Sequence, residues 1–204
     1  MRLSWLDPWV ARRPFEGRSA RRYADAERPA FADLDDRLLE RLGGELARAE
    51  RFLDVGAGTG ALAARIARAH PRLQVVAVEP SRTFASGIRA RAEALPLAPA
   101  SIDVALCLTS LRHVRDRAAA LVELRRVVRG AVWIVELDPA ADAARARRHR
   151  RALRSTLARL AFDPFVLRTG PDAAGLAAAA RAAGWVAERA DDDPLQPFFI
   201  LHLT

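Results

Sequence analysis

The chain contains no lysine and no asparagine, and its 204 residues include one cysteine, one methionine and one tyrosine. A single thiol, Cys107, excludes an intramolecular disulfide and a cysteine-built metal cluster, and no metal is expected. Long apolar runs are missing too. No stretch reaches the ~20 consecutive apolar residues that span a bilayer. Near the start, Trp5-Leu6-Asp7-Pro8-Trp9-Val10 is interrupted by an acid and a proline where a secretion signal needs an unbroken apolar core. The expectation is a cytoplasmic protein with no membrane partner. Without lysine, all 33 basic residues are arginine, and they leave a formal net charge of +8. That excess suits a phosphate-binding surface. The arginines are spread along the chain, however, with no basic tail or low-complexity block, so a nucleic-acid partner is not demanded.

What is abundant is apolar: 51% of residues are hydrophobic, enough for one domain with a sizeable core. Residues 31–49 carry Phe31, Leu34, Leu38, Leu39, Leu42 and Leu46 at helical spacing. Strands are expected at Phe52-Leu53 running into Asp54, at Leu73 to Glu79, at Ile102 to Leu108 and at Val132 to Leu137. Helices are expected after Gly60 (Leu62, Ile66 and Ala69 inward), from a cap at Asp116 to Arg129, and over about 140–160. The last of these would use Leu153, Leu157 and Leu160 as its apolar stripe. Another helix runs from Asp172 to Ala183, stopped by Gly184. Residues 185–189 and 198–203 read as a closing antiparallel pair. Alternating strands and helices imply a mostly parallel sheet with helices on both faces. One spacing is short: only Pro80 to Gly87 separate Glu79 from Ile88, where a parallel crossover needs ~10–12 residues. Either the intervening helix is a single turn or the strand at Ile88 is degraded.

The run Asp54-Val55-Gly56-Ala57-Gly58-Thr59-Gly60 carries the chemistry. Glycines at every second position allow a sharp turn between strand and helix and leave no Cβ between the loop and a ligand. Free N–H groups at such a helix N-terminus make it a common nucleotide site. The dinucleotide pattern G-x-G-x-x-G/A fits through Gly56, Gly58 and Ala61. Asp54 argues against it, because a carboxylate beside a pyrophosphate is repelled at short range. The same carboxylate attracts a cofactor bearing an α-ammonium and a sulfonium, which is S-adenosylmethionine. The plainer reading of Asp54 is a turn or helix cap. About 20 residues beyond the loop, Glu79 ends the second expected strand, where a carboxylate receives ribose hydroxyls. Its plainer reading is a cap leading into Pro80-Ser81.

With these pieces in order, the chain resembles the class I S-adenosylmethionine-dependent methyltransferases, and within them the branch of ubiquinone/menaquinone-biosynthesis C-methyltransferases. Four motifs carry the resemblance: FLDVGAGTG at 52–60, VVAVEPS at 75–81, RAEALPL at 91–97, and SIDVALCLTSLRHV at 101–114 followed by ELRRVV at 123–128. It covers roughly Phe52 to Asp138, with a weaker echo in the last 35 residues. The resemblance implies a doubly wound, Rossmann-like α/β fold with a seven-stranded, mostly parallel sheet and an antiparallel C-terminal strand. It also implies one domain over 1–204: N-terminal arm or lid helices at 1–45, a cofactor-binding core at 50–138, a helical insert or lid at 139–170, and a closing helix and strand pair at 171–204.

In that family Asp54 and the Gly56, Gly58, Thr59 and Gly60 loop would hold the methionine end of the cofactor. Glu79 and Pro80 would lie at its ribose, and Arg91, Ala92 and Glu93 along the adenine. Leu108 would contact the region of the sulfonium. Arg112 and His113 match a Leu-Arg-x-Val segment near the active-site floor. Three departures stand out. Arg91 cannot accept from the adenine amino group, Leu108 is apolar where a serine is common, and the usual Pro-Gly-Gly turn is reduced to Arg129-Gly130.

Methyl transfer asks the protein mainly for alignment and exclusion of water. A base is needed only if the acceptor must lose a proton, and His113 is the candidate, with structural packing as its plainer reading. Asp138 reads as a solvated loop acid, and His149 and His202 as surface or strand residues. The N-terminal aromatics Trp5, Trp9, Phe15 and Tyr23 would form a lid, with Trp9, Tyr23 and Arg112 toward a small-molecule substrate. Arg145, Arg147, Arg148, Arg150, Arg151 and Arg154 read most simply as a solvated helix face, or else as a contact for phosphates or an anionic substrate. Two alternatives stay open: an RNA-modifying methyltransferase using that arginine-rich insert, and a non-catalytic relative whose short 80–87 connection has cost it the cofactor. Against the first, the chain has no asparagine with which to build an Asn-Pro-Pro-Tyr-type motif.

Overall fold

The computed structural model describes residues 16, 17, 21, 31, 33–84, 87–153 and 156–204. Trp5, Trp9, Phe15, Tyr23 and Arg154 lie outside them. In chain order the elements are α1 (Leu34–Leu46), β1 (Arg51–Val55), α2 (Ala61–Ala69), β2 (Gln74–Val78), β3 (Ile102–Leu108), α3 (Arg117–Val127) and β4 (Val128–Leu137). They are followed by α4 (Ala143–Ala152), α5 (Thr156–Ala161), a π-helical turn (Phe162–Leu167), α6 (Ala173–Ala182), β5 (Ala187–Arg189) and β6 (Phe198–Leu203).

Six strands among the described residues form one sheet in the order β2-β1-β3-β4-β6-β5. The first four are parallel, and β6 and β5 run antiparallel. The side chains of successive strand residues alternate between two cores. On one face Leu53, Cys107, Ile134 and Leu201 meet α3 and α6 through Leu121, Leu124, Leu176 and Ala180. On the other, Phe52, Leu106, Val135 and Ile200 meet α1 and α2 through Leu38, Leu42, Leu62 and Ile66. Helices therefore cover both faces, as the alternation of elements predicts. α1 is fixed to the sheet by more than apolar contact: Trp133 Nε1 donates to Glu45 at 2.7 Å, and Glu45 also meets His202 at 3.0 Å.

The resemblance implies seven strands where six form among the described residues, and the difference lies beyond β2. There Ile88 makes a single parallel bridge to Val78, with Ile88 N donating to Ala77 O and Glu79 N to Ile88 O. The short connection after Glu79 leaves no room for a full crossover, so that strand is reduced to its first contact. The chain reaches β2 there only because of Gly87, where a Cβ would stand 2.3 Å from the Ala77 carbonyl oxygen. Gly87→Ala should push this edge away from β2 and cost about 1–3 kcal/mol of stability, read as a lowered thermal midpoint. An unchanged midpoint would show that the bridge carries no load.

Two further expectations are corrected. The helix expected to run to Arg129 ends at Val127, and β4 begins at Val128. Arg129-Gly130 is thus part of a strand and not a shortened turn. Its register against β3 shifts between Ile102 and Val104, which absorbs the irregularity. The long helix expected over 140–160 is broken into α4, α5 and the π-helical turn. Leu153 stands at the C-cap of α4 and Leu160 is 72% exposed, so no continuous apolar stripe forms. The caps at Asp116 and Asp172 occur as expected, accepting from Ala119 N and Gly175 N.

Candidate functional site

The C-terminal ends of β1, β2, β3 and β4 lie side by side, the edge at which open α/β sheets bind ligands. β1 delivers Asp54, which is 3% exposed, into a loop where Gly56, Gly58 and Gly60 all take positive φ (74°, 55° and 75°). Each glycine position has its own reason. At Gly56 a Cβ would stand 2.5 Å from the Ser110 Cβ, so the loop is packed against the chain leaving β3. At Gly58 nothing lies within 4 Å of where a Cβ would be. This part of the loop borders open space in a backbone conformation that side chains rarely adopt.

The loop's N–H groups are largely spoken for. Gly56 N and Ala57 N donate to Val78 O at 2.8 and 3.1 Å, and Gly60 N donates to Ala57 O at 2.9 Å. Gly58 N donates to Glu79 Oε2 at 2.9 Å. The expectation of outward-pointing donors is therefore corrected at these four positions. A loop spending them on the protein makes a poor cradle for a pyrophosphate, which strengthens the reading that Asp54 suggested.

Glu79 is 8% exposed and links two parts of the site, with Oε2 on Gly58 N and Oε1 on Ser81 N at 2.8 Å. A carboxylate has about four lone-pair sites, so two remain for hydroxyls of a ligand. Pro80 and Thr59 are exposed beside it. These residues fit S-adenosylmethionine: open space at Gly58, a positioned acceptor for ribose hydroxyls, and a buried acid at Asp54 for the cationic end.

The adenine-side residues are held more indirectly. Arg91 is exposed and Ala92 is buried in the core, with an antiparallel bridge between Arg91 and Ala94. Glu93 accepts from Arg115 N at 3.2 Å and Asp116 N at 3.4 Å, tying this segment to the start of α3. From α3, Glu123 accepts from Leu95 N, and Arg126 donates to Leu95 O and Leu97 O. The RAEALPL and ELRRVV motifs are thus two halves of one brace.

At the end of β3, Leu108 is 9% exposed and Thr109 has a φ of 51°, a left-handed conformation unusual for a β-branched residue. Its N–H is fixed to Val135 O at 2.7 Å. A short 3₁₀ turn, Leu111–His113, follows. His113 is half-buried, with its N–H on Ser110 O. Arg112 is 7% exposed: its guanidinium donates to Val166 O and its backbone N to Glu136 Oε1 at 3.2 Å.

Glu136 is a strand-end acid in the sequence, close to Asp138, and sequence reasoning assigns it no role. It is 0% exposed on β4, and burial pushes its carboxyl up from 4.5 to about 7, against the pull of the Arg112 guanidinium and the backbone N–H groups of Arg112 and Leu111. An acid inside the apolar run Val132 to Leu137 was the signal available in the sequence. Burial likewise raises the Cys107 thiol far above its usual range, with Glu136 and Asp54 adding to the effect, so Cys107 is not a nucleophile at neutral pH.

Three other expectations change. Asp138 is not a solvated acid: it is 4% exposed, accepts from Ala140 N and pairs with Arg189 at 2.9 Å. His149 is not on the surface. It is 3% exposed, stacks on Phe162 with ring centroids 4.7 Å apart, and meets Gln196 at 3.0 Å. Arg145 is only partly exposed and bonds Asp142 and the Asp193 carbonyl, while Arg147, Arg148 and Arg151 fit the solvated face.

Residues 53–135 match the family described as Methyltransferase domain. Over 109 residues the chain is 36% identical to a ubiquinone/menaquinone biosynthesis C-methyltransferase of Syntrophotalea carbinolica, covering 46% of each. Over 149 residues it is 32% identical to a malonyl-[acyl-carrier protein] O-methyltransferase of Halorhodospira halophila, covering 66% of this chain and 50% of that protein. The chain spans about half the length of the curated relatives it matches. The plantazolicin methyltransferase BpumL, solved in complex with SAH, superposes with a TM-score of 0.74 at 11% identity over 98% of this chain and 96% of its own, a likeness of fold.

Proposed function

We propose that this chain, whose residues 53–135 match the methyltransferase domain family, is a class I S-adenosylmethionine-dependent methyltransferase that transfers a methyl group to a small-molecule acceptor at oxygen, carbon or nitrogen. The observation that carries this reading is the joint between Gly58 and Glu79: an open-faced glycine whose N–H is held by the carboxylate meant for the ribose. Bound S-adenosylmethionine would supply the methyl group on a positively charged sulfur.

The chain's own residues supply placement. Asp54 faces the ammonium end, Gly56, Gly58, Thr59 and Gly60 shape the cradle, and Glu79 with Pro80 sets the ribose. Arg91, Ala92 and Glu93 form the adenine side, with Glu93 acting through its hold on α3. Leu108 packs near the methyl and helps keep water out. Arg112 and Glu136 stiffen the floor, and His113 takes the acceptor's proton where one must leave. Trp9 and Tyr23 are proposed for the substrate side. The protein would work in the cytoplasm. Among the described residues no helix is long and apolar enough to cross a membrane.

Calorimetry with S-adenosylmethionine and S-adenosylhomocysteine tests this. Saturable binding is expected, with a matching rise in thermal midpoint. Asp54→Asn removes the charge at constant shape and should weaken S-adenosylmethionine about tenfold or more, as loss of a charge-assisted contact does. No binding by the wild-type protein at millimolar ligand would leave the non-catalytic alternative standing.

A further inference from the structure

A cavity of about 310 Å³ opens between α4 and the turn after α5, lined by Pro139, Arg147, Arg150, Asp163, Leu167 and Arg168 among others. Resting on the methyltransferase reading, we infer that this cavity binds the oxyanion, a carboxylate or phosphate, of the methyl acceptor.

Its position comes first. Pro139 follows β4 almost directly, so the cavity lies at the C-terminal end of the sheet, the same edge as the glycine loop and Glu79. Its volume suits an anionic group and part of the molecule attached to it. Its charge comes second. Three guanidinium groups face one carboxylate, and that carboxylate is matched by Arg150, whose Nη1 meets Asp163 at 2.8 Å. Arg147 and Arg168, both exposed, form no ion pair with any described residue. They leave two uncompensated positive charges at one opening.

A third observation is independent of the lining. Behind the same turn lies the buried guanidinium of Arg112, whose Nη2 holds Val166 O. Its Nη1 finds no hydrogen-bond partner among the described residues, and lies 3.9 Å from where a Cβ on Gly170 would be. Glu136 offsets part of this cation's charge, so Arg112 adds to the positive wall only in part and the excess rests on Arg147 and Arg168. The neighbouring cavity, about 340 Å³, is a useful contrast. It is lined by Arg145 and Arg148 but also by Asp142, Asp192 and Asp193, so its acids outnumber its arginines and it holds no anion preference. An arginine-rich helix alone would not distinguish the two cavities; the placement of the acids does.

The test titrates the full chain with inorganic phosphate and, separately, with succinate, at constant ionic strength adjusted with sodium chloride. Backbone amide shifts are followed by NMR. Saturable shifts are expected at residues 146–150 and 167–169. The double variant Arg147→Gln, Arg168→Gln should weaken binding by about tenfold or more, as expected when charge-assisted contacts are lost. Arg72→Gln, an exposed arginine on the turn between α2 and β2, should leave it unchanged. Binding of phosphate alone assigns a phosphate ester, and binding of succinate assigns a carboxylate; either supports the site. No saturable shift, shifts located elsewhere, or equal weakening by Arg72→Gln overturns it. S-adenosylhomocysteine is titrated into the same samples. Its binding without anion binding defeats the cavity and leaves the methyltransferase reading intact, whereas its failure in the wild-type protein defeats that reading separately.

Discussion

Glu79→Ala is expected to raise the Kd for S-adenosylhomocysteine by about 100-fold or more, since two hydrogen bonds to a charged acceptor are worth about 1.5–3 kcal/mol each and tenfold corresponds to about 1.4 kcal/mol. The expectation rests on a double role. Glu79 has lone pairs left for two hydroxyls, and it also fixes the loop by accepting from Gly58 N and Ser81 N. Removing the carboxylate takes away the ligand's acceptor and frees the segment that shapes the rest of the cradle. Glu79→Gln separates the two effects. The amide keeps one acceptor oxygen but presents a donor to either Gly58 N or Ser81 N, so it should bind between wild type and alanine. Calorimetry reads the affinity, and circular dichroism checks that the fold is intact. Wild-type affinity in Glu79→Ala would remove Glu79 from the site, and with it the main support for this cofactor geometry.

Much of this joint is legible in the sequence, because it depends on short-range patterns. Asp54, the spaced glycines and Glu79 at the end of an apolar strand each announce a position in a strand-turn-helix unit, and the sheet's parallel order brings them together. The caps at Asp116 and Asp172 are equally local. What was not legible depends on contacts between distant segments. The short spacing announces that the strand at Ile88 is reduced, but not that its one remaining bridge depends on how closely Gly87 approaches Ala77. His149 looks like one more polar residue on an arginine-rich helix. Only the tertiary fold encloses it between Phe31, Phe162 and Phe198. Asp138 reads as a loop acid in the sequence, and Arg189, far along the chain, closes over it in the fold. Glu136 was hidden for the opposite reason: its strand was recognised, but periodicity alone does not tell which acid near a strand end turns into the core.

Glu136 carries the second large effect, and its sign is opposite to that of most carboxylates. Its folded-state pKa is raised, to about 7 from the ordinary 4.5, because burial disfavours the charged form more than Arg112 and the neighbouring N–H groups favour it. Below pH 4.5 the carboxyl is protonated in both folded and unfolded chains, and the fold carries no penalty from it. Between 4.5 and about 7 the unfolded chain ionises first, so stability falls as pH rises; above about 7 both states are ionised and the loss is complete. At about 1.4 kcal/mol per pH unit this amounts to on the order of 3 kcal/mol. Glu123, which the Arg126 guanidinium holds below the usual carboxylate value, titrates at more acid pH and acts in the other direction. Glu136→Gln should therefore match the wild-type protein near pH 4.5 and exceed it by on the order of 3 kcal/mol at pH 8, measured by urea unfolding across that range. Comparing the two proteins at each pH cancels every contribution that they share. Parallel stability curves would mean that Glu136 is already ionised well below neutrality and that Arg112 fully compensates it. A diverging pair would establish, at the floor of the cleft, a carboxyl able to hold or release a proton near pH 7, adjoining the turn that carries His113.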